Sequence, residues 1–431
     1  MLAGAFVVAV AFSAVALVAA ERVPDDEATS GAALVASDWP QFLGPERDGI
    51  SRETGLIDAW PDGGPKELWR VAGGAGMSGL AIQGGQVVTL VQRDGEQRLI
   101  VLDAASGKEL RAVAIAPAYE NAMGDGPRAT PALADGRAWA FSGEGVLVAV
   151  DLADGTIAWR HDVVTEQGGK PAAYGMASSP LLAGKLVVVT AGAPRGTLVA
   201  YDRATGDLAW TARADGGRET AGYSSAALLD AGGREQIVAF TGESAIGVAP
   251  QSGALLWRYP FVTEYDCNIA TPLAYDGKVF ISSGENHGAA LLALAPKDDG
   301  FTVSEVWTSF GKTSVLRNEW QTSMLIDGHL YGFDNVGSAG PVTHLTCVDI
   351  ATGKPRWQEA RFGKGNLLAA DGKLFITTFQ GELVVVRATT ERFVELGRKK
   401  LLRSTRQAPA LAGGRLYLRD DREIVCVDVR R

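Results

Sequence analysis

The stretch Leu198-Val-Ala-Tyr-Asp202-Arg-Ala-Thr-Gly206-Asp-Leu-Ala-Trp210 decides the fold. Apolar residues run up to Asp202, a glycine follows four positions on, and a tryptophan comes four positions after that. The same order returns in Leu147-Val-Ala-Val-Asp151-Leu-Ala-Asp-Gly155-Thr-Ile-Ala-Trp159 and in Leu345-Thr-Cys-Val-Asp349-Ile-Ala-Thr-Gly353-Lys-Pro-Arg-Trp357. A short apolar run bounded by turn residues reads as a strand. The Asp can accept hydrogen bonds from turn amides, and the Gly can take the positive φ that a tight turn demands. The Trp then falls on the returning strand, where its flat ring suits packing between adjacent units.

Working outward, the Asp position is occupied in turn by Asp103, Asp151, Asp202, Ala249, Ala295, Asp349, Arg387 and Asp428, in steps of 38 to 54 residues. That spacing accommodates four short antiparallel strands per unit. Each unit opens on a hairpin whose turn carries glycine: Gly84-Gly85, Asp135-Gly136, Asp276-Gly277, Asp327-Gly328, Asp371-Gly372 and Gly413-Gly414. Some units drift from the pattern. The first has Arg111 where Trp is expected, the fourth keeps Gly253 and Trp257 without the Asp, and the seventh keeps neither Gly nor Trp. The eighth stops after Asp428, short of a fourth strand, while Lys66-Glu-Leu-Trp69-Arg-Val71 stands near the other terminus as a fourth strand without a unit. The sequence therefore predicts an all-β, eight-bladed β-propeller over 61–431, closed by the N-terminal strand completing the last blade. Closure hides sheet edges that would otherwise recruit other chains.

Residues 2–20 carry no charge and end in Val18-Ala19-Ala20. They read either as a secretory signal cleaved after Ala20 or as an uncleaved anchor tethering the protein to a membrane. Both readings place the protein outside the cytoplasm, in the periplasm or cell envelope. No cysteine stands near residue 20 to accept a lipid. Residues 21–60 form an N-terminal arm, whose Trp39-Pro-Gln-Phe-Leu-Gly-Pro-Glu-Arg-Asp-Gly-Ile50 suits docking on the ring. The net charge of −9, with no basic stripe, argues against nucleic acid as a partner. Cys347 and Cys426 share one phase of the repeat, which puts them on different blades, beyond disulfide reach. Cys267 falls in a loop-like stretch. The four histidines show no metal-ligand spacing, and His161 is expected to face solvent.

These repeats resemble the PQQ-like propeller family, which includes quinoprotein dehydrogenases and the outer-membrane assembly lipoprotein BamB. The family motif, roughly Ala-x-Asp-x-x-Thr-Gly-x-x-x-Trp, is matched at Asp202–Trp210 and Asp349–Trp357. A narrower resemblance, to exported PQQ-like propellers of unassigned function, rests on the Trp39 segment, Gly124-Asp-Gly-Pro-Arg-Ala-Thr-Pro131 and Gly222-Tyr-Ser-Ser225. For the dehydrogenases the resemblance implies PQQ on a Trp floor, a calcium ion, an Asp base and a ring of two adjacent cysteines. This chain has no Cys-Cys pair and no Cys-x-x-Cys-His haem motif. Its Glu120-Asn121 and Glu285-Asn286 pairs could offer oxygens to a hard cation.

In a propeller, the loops from the outer strand of one blade to the inner strand of the next gather at one mouth of the central channel. Here they carry Tyr119, Glu120, Asn121, Asp125 and Arg128; Tyr174; Tyr223; Asp266 and Asn268; Arg317, Glu319 and Trp320; Lys364; and Arg406. Mixed charges and aromatics at a funnel suit a polar small molecule or a peptide segment of a partner protein. The expectation is an exported, BamB-like, non-catalytic binding or assembly scaffold with no assigned cofactor or metal. The alternative is a quinoprotein-type oxidoreductase holding PQQ and calcium in the channel. Hydrolysis by Glu120, Asp125 and Glu319 is the third reading, and needs two carboxylates facing each other.

Overall fold

In the computed structural model, which describes residues 1, 38–60, 63–214, 220–337 and 342–431, the repeat becomes a four-stranded antiparallel sheet. The quoted stretch supplies the strands Gly196–Asp202 and Leu208–Ala212, preceded by Leu181–Ala183 and Leu186–Ala193. Asp202 Oδ1 accepts from the amides of Ala204 and Thr205 at 2.9 and 3.0 Å, and Gly206 turns the chain with φ +81°. Those amide bonds hold the Asp202 carboxyl below the usual carboxylate range. The apolar segment 2–20, and with it both export readings, lies outside the described residues.

Among the described residues eight such blades form a ring, spanning 81–117, 132–162, 181–212, 227–260, 273–310, 324–359, 365–400 and, for the eighth, 410–428 with 66–72. The eighth is completed as the sequence predicts. Lys66–Ala72 pairs antiparallel with Glu423–Asp428 and sets Trp69 opposite Cys426. The hairpin turns also behave as read: Asp135-Gly136, Asp276-Gly277, Asp327-Gly328 and Asp371-Gly372 all have positive φ at both positions.

The spacing between Gly and Trp is set by contacts between blades. The Trp69 indole donates to Ala104 O of the next blade at 3.1 Å, Trp159 to Arg203 O at 3.2 Å, Trp210 to Pro250 O at 2.9 Å and Trp307 to Ile350 O at 2.8 Å. Each acceptor directly follows the Asp position of the next unit. Each ring also lies on that unit's turn glycine, so a Cβ at Gly107, Gly206, Gly253 or Gly353 would meet the indole at 2.7, 2.7, 2.6 or 2.8 Å. Glycine is therefore required twice over, by its φ and by the ring pressed onto its Cα. Where blade 1 has Arg111, the guanidinium donates to Ala153 O and replaces the indole. Trp257 turns into its own blade and donates to Gln236 Oε1 at 2.5 Å. His161 departs from expectation: its ring stacks on Tyr201 of the next blade at 4.3 Å, because the blade 2 strand runs alongside that neighbour.

The arm does more than rest on the ring. Trp39 exchanges two backbone bonds with Ile82, Leu133 N donates to Pro40 O, and Ile50–Ser51 adds a parallel strand to Gly365–Ala370 of blade 7. Between them the Arg47 side chain, 4% exposed, donates to Ser179 O, Pro180 O and Ala226 O at 2.7, 3.1 and 2.8 Å. Residues 39–51 thus cross the channel from the inner strands of blades 1–4 to blade 7. Burial opposes the charge on Arg47 and pushes it down to about 9; the carbonyl acceptors are what the fold offers in return.

Candidate functional site

The outer-to-inner loops converge on a cavity of about 540 Å³. Residues just ahead of the inner strands, Gly79, Thr130, Ser179, Ser225 and Thr322, form its deep wall, and Phe42 of the arm contributes from below. Because the arm bonds to backbone at or just past these positions, at Ile82, Leu133, Ser179 and Ala226, it floors the cavity and makes the channel a cup.

Of the residues read from the sequence, Arg128, Tyr174, Tyr223, Glu319, Trp320, Lys364 and Arg406 line this cup. Tyr119, Glu120, Asn121, Asp125, Asp266, Asn268 and Arg317 lie outside the lining, and most of these have structural work. Tyr119 places its ring 4.7 Å from the Arg128 guanidinium. Asn121 bonds to Tyr119 Oη and Ala173 O, and Asp125 Oδ1 accepts from Asn121 N at 3.0 Å, so their loop is tied to itself and to the blade 2–3 loop. Glu120 is exposed. Arg317 makes a buried two-point pair with Asp334 at 2.6 and 2.7 Å. Asn268 donates to Phe261 O of its own blade 4–5 loop and to Thr241 O in the turn between two strands of blade 4, and Asp266 sits beside it at φ +55°. Sequence reading missed Phe42, Met77, Met123 and Tyr265 as lining residues. Phe42 belonged to a segment recognised as a docking arm, and Tyr265 adjoins a singled-out Asp266; what was missing was the direction of each side chain.

The charges in the cup are largely paired within the protein. Lys364 Nζ meets Glu319 Oε1 at 2.7 Å and lies 4.3 Å from the Trp320 ring centre. The Arg406 guanidinium covers Trp320 at 5.1 Å and donates to Met123 O. Arg128 donates to the carbonyls of Tyr174, Gly126 and Gly124. Tyr174 and Tyr223 stack at 5.7 Å. Burial raises Glu319 above the usual carboxylate range against the opposing pull of Lys364. Burial, with the fields of Glu285, Glu319 and Asp266, pushes the Cys267 thiol up to about 12.

A family model described as outer membrane protein assembly factor BamB matches residues 55–168, 96–359 and 343–431. The chain belongs to this BamB family. No curated protein matches it. Among solved structures, the BamB-family chain is similar to quinohemoprotein alcohol dehydrogenase from Comamonas testosteroni, with a TM-score of 0.64 and 13% identity over 91% of this chain and 80% of that one. BamB from Moraxella catarrhalis superposes with a TM-score of 0.58 at 14% identity over 84% of this chain and 99% of that one. The computationally designed protein Ika8 gives a TM-score of 0.58 at 13% identity over 84% and 100%. At such identity the likeness shows the fold alone, which binding and redox proteins share.

The dehydrogenase resemblance implies a calcium ion, for which the sequence offered the Glu120-Asn121 and Glu285-Asn286 pairs. Asn121 Oδ1 accepts from Met123 N at 3.0 Å and Asn286 Oδ1 from Gly337 N at 2.8 Å, so backbone amides already engage both amide oxygens. Among the described residues no group of three His, Cys, Asp or Glu side chains is arranged to hold a metal ion.

Proposed function

We propose that this BamB-family propeller is an exported, non-catalytic binding scaffold that holds a polar ligand or a peptide segment of a partner protein in its floored cup. The observation that carries the reading is the pairing of the cup's charges. Lys364 is engaged by Glu319 and Trp320, Arg128 by three carbonyls, and Arg406 by Met123 O and Trp320. Groups held this way shape a recognition surface; a general base or nucleophile needs a partner poised for proton transfer. The family's description as an outer membrane assembly factor supports a role in the envelope and a protein partner.

Titrating purified protein with PQQ, with and without calcium, and separately with short capped peptides tests it. The melting temperature and intrinsic tryptophan fluorescence are followed throughout, the Trp320 share assigned from a Trp320→Phe variant because the chain has 10 tryptophans. Saturable peptide binding that quenches Trp320 fluorescence, without dye-linked alcohol oxidation, is the expected result. A saturable, calcium-dependent rise in melting temperature with PQQ, accompanied by alcohol oxidation, overturns the reading in favour of a quinoprotein enzyme.

A further inference from the structure

The cations of the cup are engaged: Arg128 is bonded to carbonyls, that of Tyr174 among them, Lys364 is held by Glu319, and Lys364 and Arg406 lie on the Trp320 ring. From the blade 2–3 loop round to the blade 5–6 loop, Tyr174, Tyr223 and Tyr265 share the wall with Cys267, Glu285 and Glu319. Glu319 is 5% exposed, and while Oε1 holds Lys364, its Oε2 is buried without a hydrogen-bond partner among the described residues. An acceptor of that kind costs free energy until a donor reaches it. Tyr265 is 47% exposed at the rim, with Val262 and Phe310 exposed on the same blade 4–5 side. Phenol faces carry negative potential toward a cation, and the carboxylates add to it.

We propose that this tyrosine and carboxylate wall takes an organic cation, an ammonium or guanidinium on an apolar stem, with Glu319 Oε2 as its acceptor and Tyr265 against the stem. This deepens the reading of the cup as a ligand site and rests on it. A lysine or arginine side chain of a partner segment has this chemistry, and so does a free amine.

Isothermal titration of the full chain with four probes tests it: Nα-acetyl-lysine amide, Nα-acetyl-arginine amide, Nα,Nε-diacetyl-lysine amide and n-butylammonium. Nα-acetyl-glutamate amide serves as the anionic control. The lysine or arginine probe should bind at least tenfold more tightly than the diacetylated one, which keeps the stem and loses the charge. Glu319→Gln should weaken the cation about tenfold or more. Since that change leaves Lys364 without its carboxylate, Tyr265→Leu provides a variant outside the pair, expected to weaken binding severalfold while the far-ultraviolet spectrum stays unchanged. Butylammonium binding as tightly as the capped lysine identifies a free amine as the source; a capped residue binding more tightly identifies a partner's side chain. Equal affinity for charged and diacetylated lysine, or preference for glutamate, overturns the cation assignment and leaves the cup a ligand site. Failure of every probe, of the peptides and of PQQ overturns the cup itself.

Discussion

Replacing Gly253 by alanine isolates the contact that sets the repeat. Gly253 has φ +69°, and an added Cβ would lie 2.6 and 2.8 Å from two carbons of the Trp210 ring, which is 7% exposed. Gly136 has φ +74° with nothing within 4 Å of an added Cβ. Both alanines carry the same left-handed penalty of about 1–2 kcal/mol. Gly253→Ala adds overpacking of about 1–3 kcal/mol, because the ring is fixed by its bond to Pro250 O and cannot retreat without breaking it. Urea unfolding followed by circular dichroism should therefore show Gly253→Ala less stable than Gly136→Ala by about 1–3 kcal/mol. In a Trp210→Leu background the difference should shrink, since the smaller side chain leaves room for the methyl. Equal losses for the two alanines, or an excess that survives Trp210→Leu, would refute the account of indole against glycine as the seam between blades.

Three further expectations concern the arm, the thiols and the last strand. Arg47→Met removes the donors to Ser179, Pro180 and Ala226 carbonyls; it should cost about 2–4 kcal/mol and loosen the arm so that trypsin cuts faster after the already exposed Arg52, read by unfolding and by N-terminal sequencing of fragments. Burial pushes the Cys267, Cys347 and Cys426 thiols up to about 12, 11 and 12. At pH 8 an aromatic disulfide reagent should leave all of them unreacted in the native protein and titrate three only after unfolding. Asp428 is held down to about 2 by hydrogen bonds from Arg430. Its share of stability is complete above the unfolded carboxylate value and is lost as pH falls through about 2; solvent screening keeps it below about 1 kcal/mol. Asp428→Asn should flatten the stability profile between pH 2 and 4 by that amount, and an unchanged profile would deny the pair its role.

What could be read from the sequence was what repeats. A unit copied with period-two strands, a turn Asp and a glycine leaves its strands, hairpins and number legible, and even the ring closure followed from Trp69 lacking a unit and Asp428 lacking a fourth strand. These are local signals, since turn chemistry and pleat depend on near neighbours. The glycine looked like a turn residue alone; only the ring of blades revealed that the preceding indole also excludes a side chain there. The cup was half legible for the same reason. Loop position placed Arg128, Glu319 and Lys364 at one mouth, but loop residues have no period to fix where they point. Arg317 turns to Asp334 and Asn268 to the Phe261 and Thr241 carbonyls, while Phe42 enters from an arm well over a hundred residues away in sequence from most of the wall it meets. Such pairings are decided by packing across blades, which one-dimensional patterns do not encode.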